Sequence, residues 1–136
     1  MKIDTTSDSP SWSKVFDISD ELRALSSILE QKYTTIDCEL FVCLRCLPND
    51  IERKSFCRYY AKEKLLTMDI TMNEDEFIPF KKDIDGQRRI IGNAFFEFFK
   101  ENIVKYKKKL PGLEPLVEEL IQEVQLWCLN NKWLIN

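Results

Sequence analysis

The sequence predicts an α+β domain with an N-terminal helix, a three-stranded antiparallel meander and a C-terminal pair of long helices packed on one sheet face. Two periodicities predict it. Apolar and polar residues alternate along 38–47 and again along 65–72, the pattern of strands with one buried face. Farther on, apolar residues recur at three- and four-residue steps from Ile91 to Leu110 and from Leu113 to about Asn131, the spacing of one helical face. The links between the strands are short and polar, which favours antiparallel neighbours, because parallel strands need a long crossover.

Residues 1–136 read as one domain. Residues 1–13 are polar and rich in Ser and Thr, and read as a mobile or loosely docked arm, with Trp12 and Phe16 placed to pin its end. Ser19 or Asp20 suits the N-cap of a helix to about Lys32, whose Leu22, Leu25 and Leu29 share one side. The first strand, Cys38–Leu47, sets Cys38, Leu40, Val42, Leu44 and Cys46 against Glu39, Phe41, Cys43 and Arg45. Pro48-Asn49-Asp50 ends it as a turn. A second strand over 55–61 sets Phe56, Arg58 and Tyr60 against Cys57 and Tyr59. The third, Leu65–Met72, sets Leu66, Met68, Ile70 and Met72 against Thr67, Asp69 and Thr71. Asn73–Phe77 reads as a capped turn that Pro79 stops. Asp83 or Asp85 then caps a long helix through Leu110, and its Phe95, Phe96, Phe98 and Phe99 make a stripe wide enough for two packing partners. Pro111-Gly112 breaks that helix, and the last one returns as a hairpin.

Composition narrows the function. A chain of 136 residues with 44% hydrophobic content can bury a real core, while a net charge of −3 and a pI near 5.1 disfavour a general nucleic-acid or anionic-membrane binder. The sequence starts without the apolar run of a signal peptide and contains no stretch of membrane-spanning length, so a cytosolic location with reduced cysteines is expected. There is no histidine, the commonest general base, and no nucleophile elbow, P-loop, dinucleotide fingerprint or HExxH. Cys43 and Cys46 have CxxC spacing, but residues three apart in a strand point to opposite faces, so they read as packing groups. No catalytic residue, cofactor or metal is expected.

Two surfaces are candidates for binding. The acids Asp69, Glu74, Asp75, Glu76, Asp83 and Asp85 can steer a basic partner, or serve simply as solvated acids at helix starts. Lys105, Lys107, Lys108 and Lys109 fit the cations expected at a helix C-terminus rather than a nucleic-acid patch. The second surface is the sheet face carrying Phe41, Arg45, Phe56, Arg58 and Tyr60, since aromatics with arginines are enriched at protein interfaces. The rival reading covers that face with the N-terminal helix through Leu22, Leu25 and Leu29. Both readings stand at this point.

The run Met68–Phe77, followed by Gly86-Gln87-Arg88-Arg89-Ile90-Ile91-Gly92, the Phe-rich segment and the closing Trp127-Cys128-Leu129-Asn130-Asn131-Lys132-Trp133, resembles small bacterial immunity proteins. These are the partners of polymorphic-toxin and contact-dependent growth-inhibition effectors, and the similarity spans roughly residues 37–133. The resemblance implies a cytosolic protein, monomeric or weakly dimeric, that neutralises one cognate toxin domain, often a nuclease, by protein–protein contact. Neither nucleic acid nor a membrane is expected as a partner, and the resemblance transfers no binding residue. Two alternatives come from other classes: a small enzyme using paired carboxylates, and a homodimeric adaptor that uses the aromatic sheet face on itself.

Overall fold

A computed structural model describes residues 1–8, 19–48 and 51–134. Trp12, Phe16, Asn49 and Asp50 lie outside the described residues, as do the side chains of the expected caps Ser19 and Asp20. The class is α+β, but the sheet is not the expected meander. It is a four-stranded mixed sheet whose first strand comes from the very start of the sequence.

Strand β1 (Lys2–Asp8) pairs in parallel with β2 (Glu39–Leu47), from Lys2 beside Glu39 to Asp8 beside Arg45. The arm expected there is thus an edge strand from Lys2 to Asp8. Its polarity misled because an edge strand with one solvated face needs few apolar anchors; Met1 and Ile3 supply them, buried in the core. The Ile3 N–H donates to Ser26 Oγ of helix α1 (Ser19–Lys32) at 2.8 Å, which ties the strand to the helix layer.

Strand β3 (Phe56–Tyr60) does not pair with β2. Strand β4 (Leu65–Asn73) lies between them, parallel to β2 and antiparallel to β3, giving the order β1-β2-β4-β3. The eight-residue link 48–55 is long enough to carry the chain past one strand position to the far edge. A tight turn over 61–64, with Lys64 at φ 51°, then folds the chain back into the gap. Burial agrees with this order. On β4, paired on both sides, Leu66, Met68, Ile70 and Met72 are all buried, whereas β3 alternates exposed and half-buried residues along the edge.

The three α-helices among the described residues cover one face. Helix α2 (Ile84–Tyr106) starts where Asp83 accepts the Gly86 N–H at 3.0 Å, and it ends four residues short of Leu110, which is buried in the following turn. Helix α3 (Val117–Asn130) follows a short 3-10 turn over Glu114–Leu116. In the hairpin loop Gly112 takes φ +81°, and a Cβ there would meet the Thr35 carbonyl oxygen at 2.1 Å, so no other residue fits. At Gly92 of α2 a Cβ would lie 1.9 Å from the Trp133 carbonyl oxygen. This close approach lets the Trp133 ring stack edge-on against Phe95 (5.9 Å) and Trp127 (5.1 Å).

Helix α1 belongs to the same layer. Its Glu21 accepts from Trp133 Nε1 at 2.7 Å, and the following Tyr33 hydroxyl donates to the Glu119 carbonyl of α3 at 3.3 Å. Leu22, Leu25 and Leu29 are fully buried in one cluster with Leu40, Val42 and Phe95. The N-terminal helix therefore seats on the inner sheet face. Among the described residues no helix covers the outer one.

Candidate partner-binding face

The strand register lays out the outer face in rows from the β1 edge to the β3 edge. Lys2, Glu39, Leu65 and Tyr60 form the first row; Asp4, Phe41, Thr67 and Arg58 form the second. Thr6, Cys43, Asp69 and Phe56 form the third, and Arg45 and Thr71 stand beyond it. All five sheet residues that the sequence marked as an interface, Phe41, Arg45, Phe56, Arg58 and Tyr60, thus share one surface. Phe56 and Tyr60 are 44% and 39% exposed, high values for large ring side chains. A shallow depression of about 400 Å³ runs between Phe41, Arg45, Phe56, Tyr60 and Asp69.

Asp69 sits in the middle of this face, not at a helix start. It is 8% exposed, and a carboxylate so placed on a central strand is costly unless paired. Two guanidiniums pair it. Arg45 Nε donates to both carboxylate oxygens at 3.2 Å, and an Arg53 terminal nitrogen donates to Oδ2 at 3.3 Å. Arg53 also lies over the Phe56 ring, 5.5 Å from its centroid. The segment carrying Arg53 is tied down by the Thr71 N–H, which donates to Ser55 Oγ at 2.9 Å. One buried carboxylate therefore holds two arginines in fixed positions beside exposed aromatic rings.

The acidic run that reads as one surface in the sequence is divided in space and in role. Asp69 belongs to the sheet. Glu74, Asp75 and Glu76 open a 3-10 turn (Glu74–Phe80) capped by Asn73: the Asn73 side chain accepts the Asp75 N–H at 3.0 Å, and Glu76 accepts the Asn73 N–H at 2.9 Å. Asp83 caps α2 and Asp85 is exposed in its first turn. Glu76 and Asp83 are thus committed to caps, leaving Glu74, Asp75 and Asp85 as the acids without a capping role. Elsewhere on the outer face the Asp4 carboxyl hydrogen-bonds Glu39 and, with partial burial, raises the Glu39 pKa.

The thiols are packing groups. Burial pushes Cys38 and Cys46 up to about 11, and Cys57 and Cys128 up to about 12, away from the thiolate form needed for nucleophilic or redox work. Cys43 and Cys46 point to opposite sheet faces, as strand geometry requires. No group of three or more His, Cys, Asp or Glu side chains able to hold a metal occurs among the described residues, and none of their helices is long and apolar enough to cross a membrane.

Sequence reading missed Arg53. It lies in a link, where no periodicity orients a side chain. The one available signal was Asp69 itself, since a carboxylate in mid-strand needs a cation from elsewhere in the chain.

Comparison with curated proteins and with solved structures finds no match to the chain. The model of one protein family, Immunity protein 44, matches residues 1–129, nearly the whole sequence. The chain, with its helix-backed sheet and open aromatic–arginine face, belongs to the Immunity protein 44 family.

Proposed function

We propose that this protein binds and neutralises one cognate toxin domain through the outer sheet face, without catalysis. The observation that carries the reading is the coincidence of exposed Phe56 and Tyr60 with the Arg45–Asp69 pair in one depression, with Arg53 reaching Asp69 beside it, on the sheet face that no described helix covers. Rigid aromatic anchors beside prepositioned guanidiniums are the residue types that dominate protein–protein binding energy. Catalysis is less well served: both oxygens of Asp69, the carboxylate in the depression, are already engaged by arginines. Family membership supports the toxin as partner, and the resemblance makes a nuclease the first toxin chemistry to test. Neutralisation in the cytosol of the producing cell belongs to the same reading.

Co-expression with a toxin domain taken from a reading frame adjacent to this one tests this. Growth should be restored and the two chains should co-elute on gel filtration. Phe56→Ala/Tyr60→Ala should lose both effects while melting like the parent. Rescue by that double variant at full strength would move the interface off this face. Light scattering on the unpartnered chain addresses the homodimeric adaptor, which requires a stable dimer through Phe56 and Tyr60.

A further inference from the structure

The outer face is electrically divided, and the division specifies the chemistry of what docks on it. Toward the β3 edge lie Arg58, exposed on β3, and Arg53, which shares the Asp69 carboxylate with Arg45. Two guanidiniums thus pair one carboxylate, and a third, Arg58, stands one row away, in a chain whose overall charge is −3. Toward the β1 edge lie Asp4 and Glu39, with Lys2 beside Glu39 in its row. Asp4 and Arg58 stand at opposite ends of one row, with Phe41 and Thr67 between them.

From this charge pattern, and resting on the docking face proposed above, we infer that the toxin contributes an acidic segment, with at least one carboxylate flanked by apolar side chains, seated against Arg53 and Arg58 beside Phe56 and Tyr60. Guanidinium forks match carboxylates bidentately, and the neighbouring rings exclude water around the pair. At the β1 edge Asp4 and Glu39 outnumber Lys2 and disfavour the same segment, which orients it across the sheet. A basic toxin element, the natural complement of a chain with net charge −3, fits this face poorly. Nucleic acid fits less well, because its evenly spaced negative charge would extend over Asp4 and Glu39 at the β1 edge.

The test is affinity measured by calorimetry or surface binding between the purified full chain and the adjacent toxin domain, at low and at physiological salt. Arg58→Glu should weaken binding roughly ten-fold or more, chiefly in the association rate and more strongly at low salt, and Arg53→Gln should weaken it by a smaller factor. Arg58 is exposed on an edge strand, so an unchanged melting curve will show that the variant folds. Glu74→Lys and Asp75→Lys should leave affinity within about two-fold. A toxin variant with its interfacial carboxylate changed to Lys should recover affinity for Arg58→Glu. Equal or tighter binding by Arg58→Glu, or loss of binding confined to Glu74→Lys and Asp75→Lys, would overturn the acidic segment while leaving toxin neutralisation standing. Displacement of the toxin by a single-stranded oligonucleotide that requires Arg58 would overturn it in favour of nucleic acid. Failure of the unmodified chain to form any complex would overturn both readings.

Discussion

The two faces of one sheet are built from the same strands and differ in almost every physical respect. On the inner face Leu40, Val42, Leu44, Leu66, Met68 and Ile70 are all buried against three helices. On the outer face the same strands present Phe41, Arg45, Thr67, Asp69 and Thr71, and β3 adds Phe56, Arg58 and Tyr60. The six inner side chains are apolar and are held there by burial alone. The outer face is organised by one carboxylate: Asp69 fixes two guanidiniums, and the rings stand around them. If the outer face is the docking surface proposed above, stability and recognition lie on opposite sides of a layer one residue thick, so either can be altered with little cost to the other.

The largest effect that can break this separation lies inside. Phe95 is fully buried, stacks on Phe99 at 5.8 Å and meets the Trp133 ring edge-on. Phe95→Ala should cost roughly 3–5 kcal/mol, visible as a lower denaturant midpoint with an unchanged slope. Phe56→Ala, the same change on the outer face, removes a side chain that is 44% exposed and touches chiefly Arg53; it should cost no more than about 1 kcal/mol. Comparable losses from the two variants would mean that the outer rings are part of the core.

The middle effect tests the organiser. Asp69→Asn keeps the shape but removes the charge between Arg45 and Arg53. A fully buried pair would lose several kcal/mol, yet both arginines are at least a third exposed, so solvent screens much of that loss. Roughly 1–2 kcal/mol is expected, with a larger fractional loss in toxin affinity, because the guanidiniums are no longer held in place. Thermal melts and binding isotherms on the same sample separate the two. A stability loss with full affinity would show that Asp69 serves the fold alone.

The inner face was legible in the sequence and the sheet order was not, for the same physical reason. Alternation and helical spacing report which side of an element is apolar, and they placed Leu40 to Leu44, Leu66 to Met72, and Phe95 and Phe99 where the structure has them. They say nothing about which strand is the neighbour. That depended on whether the 48–55 link turns tightly or travels to the far edge, and on whether a strand as polar as Lys2–Asp8 pairs at all. The site was half legible: Phe41, Arg45, Phe56, Arg58 and Tyr60 do share one face, since strand parity alone decides that. The contiguous acids from Asp69 to Asp85 misled because nearness in sequence crosses from mid-strand to helix cap within a few residues.

The smallest effect bears on the element that the sequence concealed most. Glu39 and Asp4 come together only because β1 is paired to β2 in this register. Their contact raises the Glu39 pKa above its ordinary value of 4.5, so the folded chain holds that proton more tightly than the unfolded chain does. The contribution to stability is therefore present at low pH and is lost as pH rises through the raised pKa. Both groups are near solvent, which keeps the effect small. Glu39→Gln should flatten this part of the pH dependence of the melting temperature in the acidic range, and should match or slightly exceed the parent at neutral pH. If β1 were instead a loose arm, the two carboxyls would not meet and the curves for parent and variant would run parallel. The pH slope of one half-buried glutamate thus reports whether the first strand of the sheet is in place.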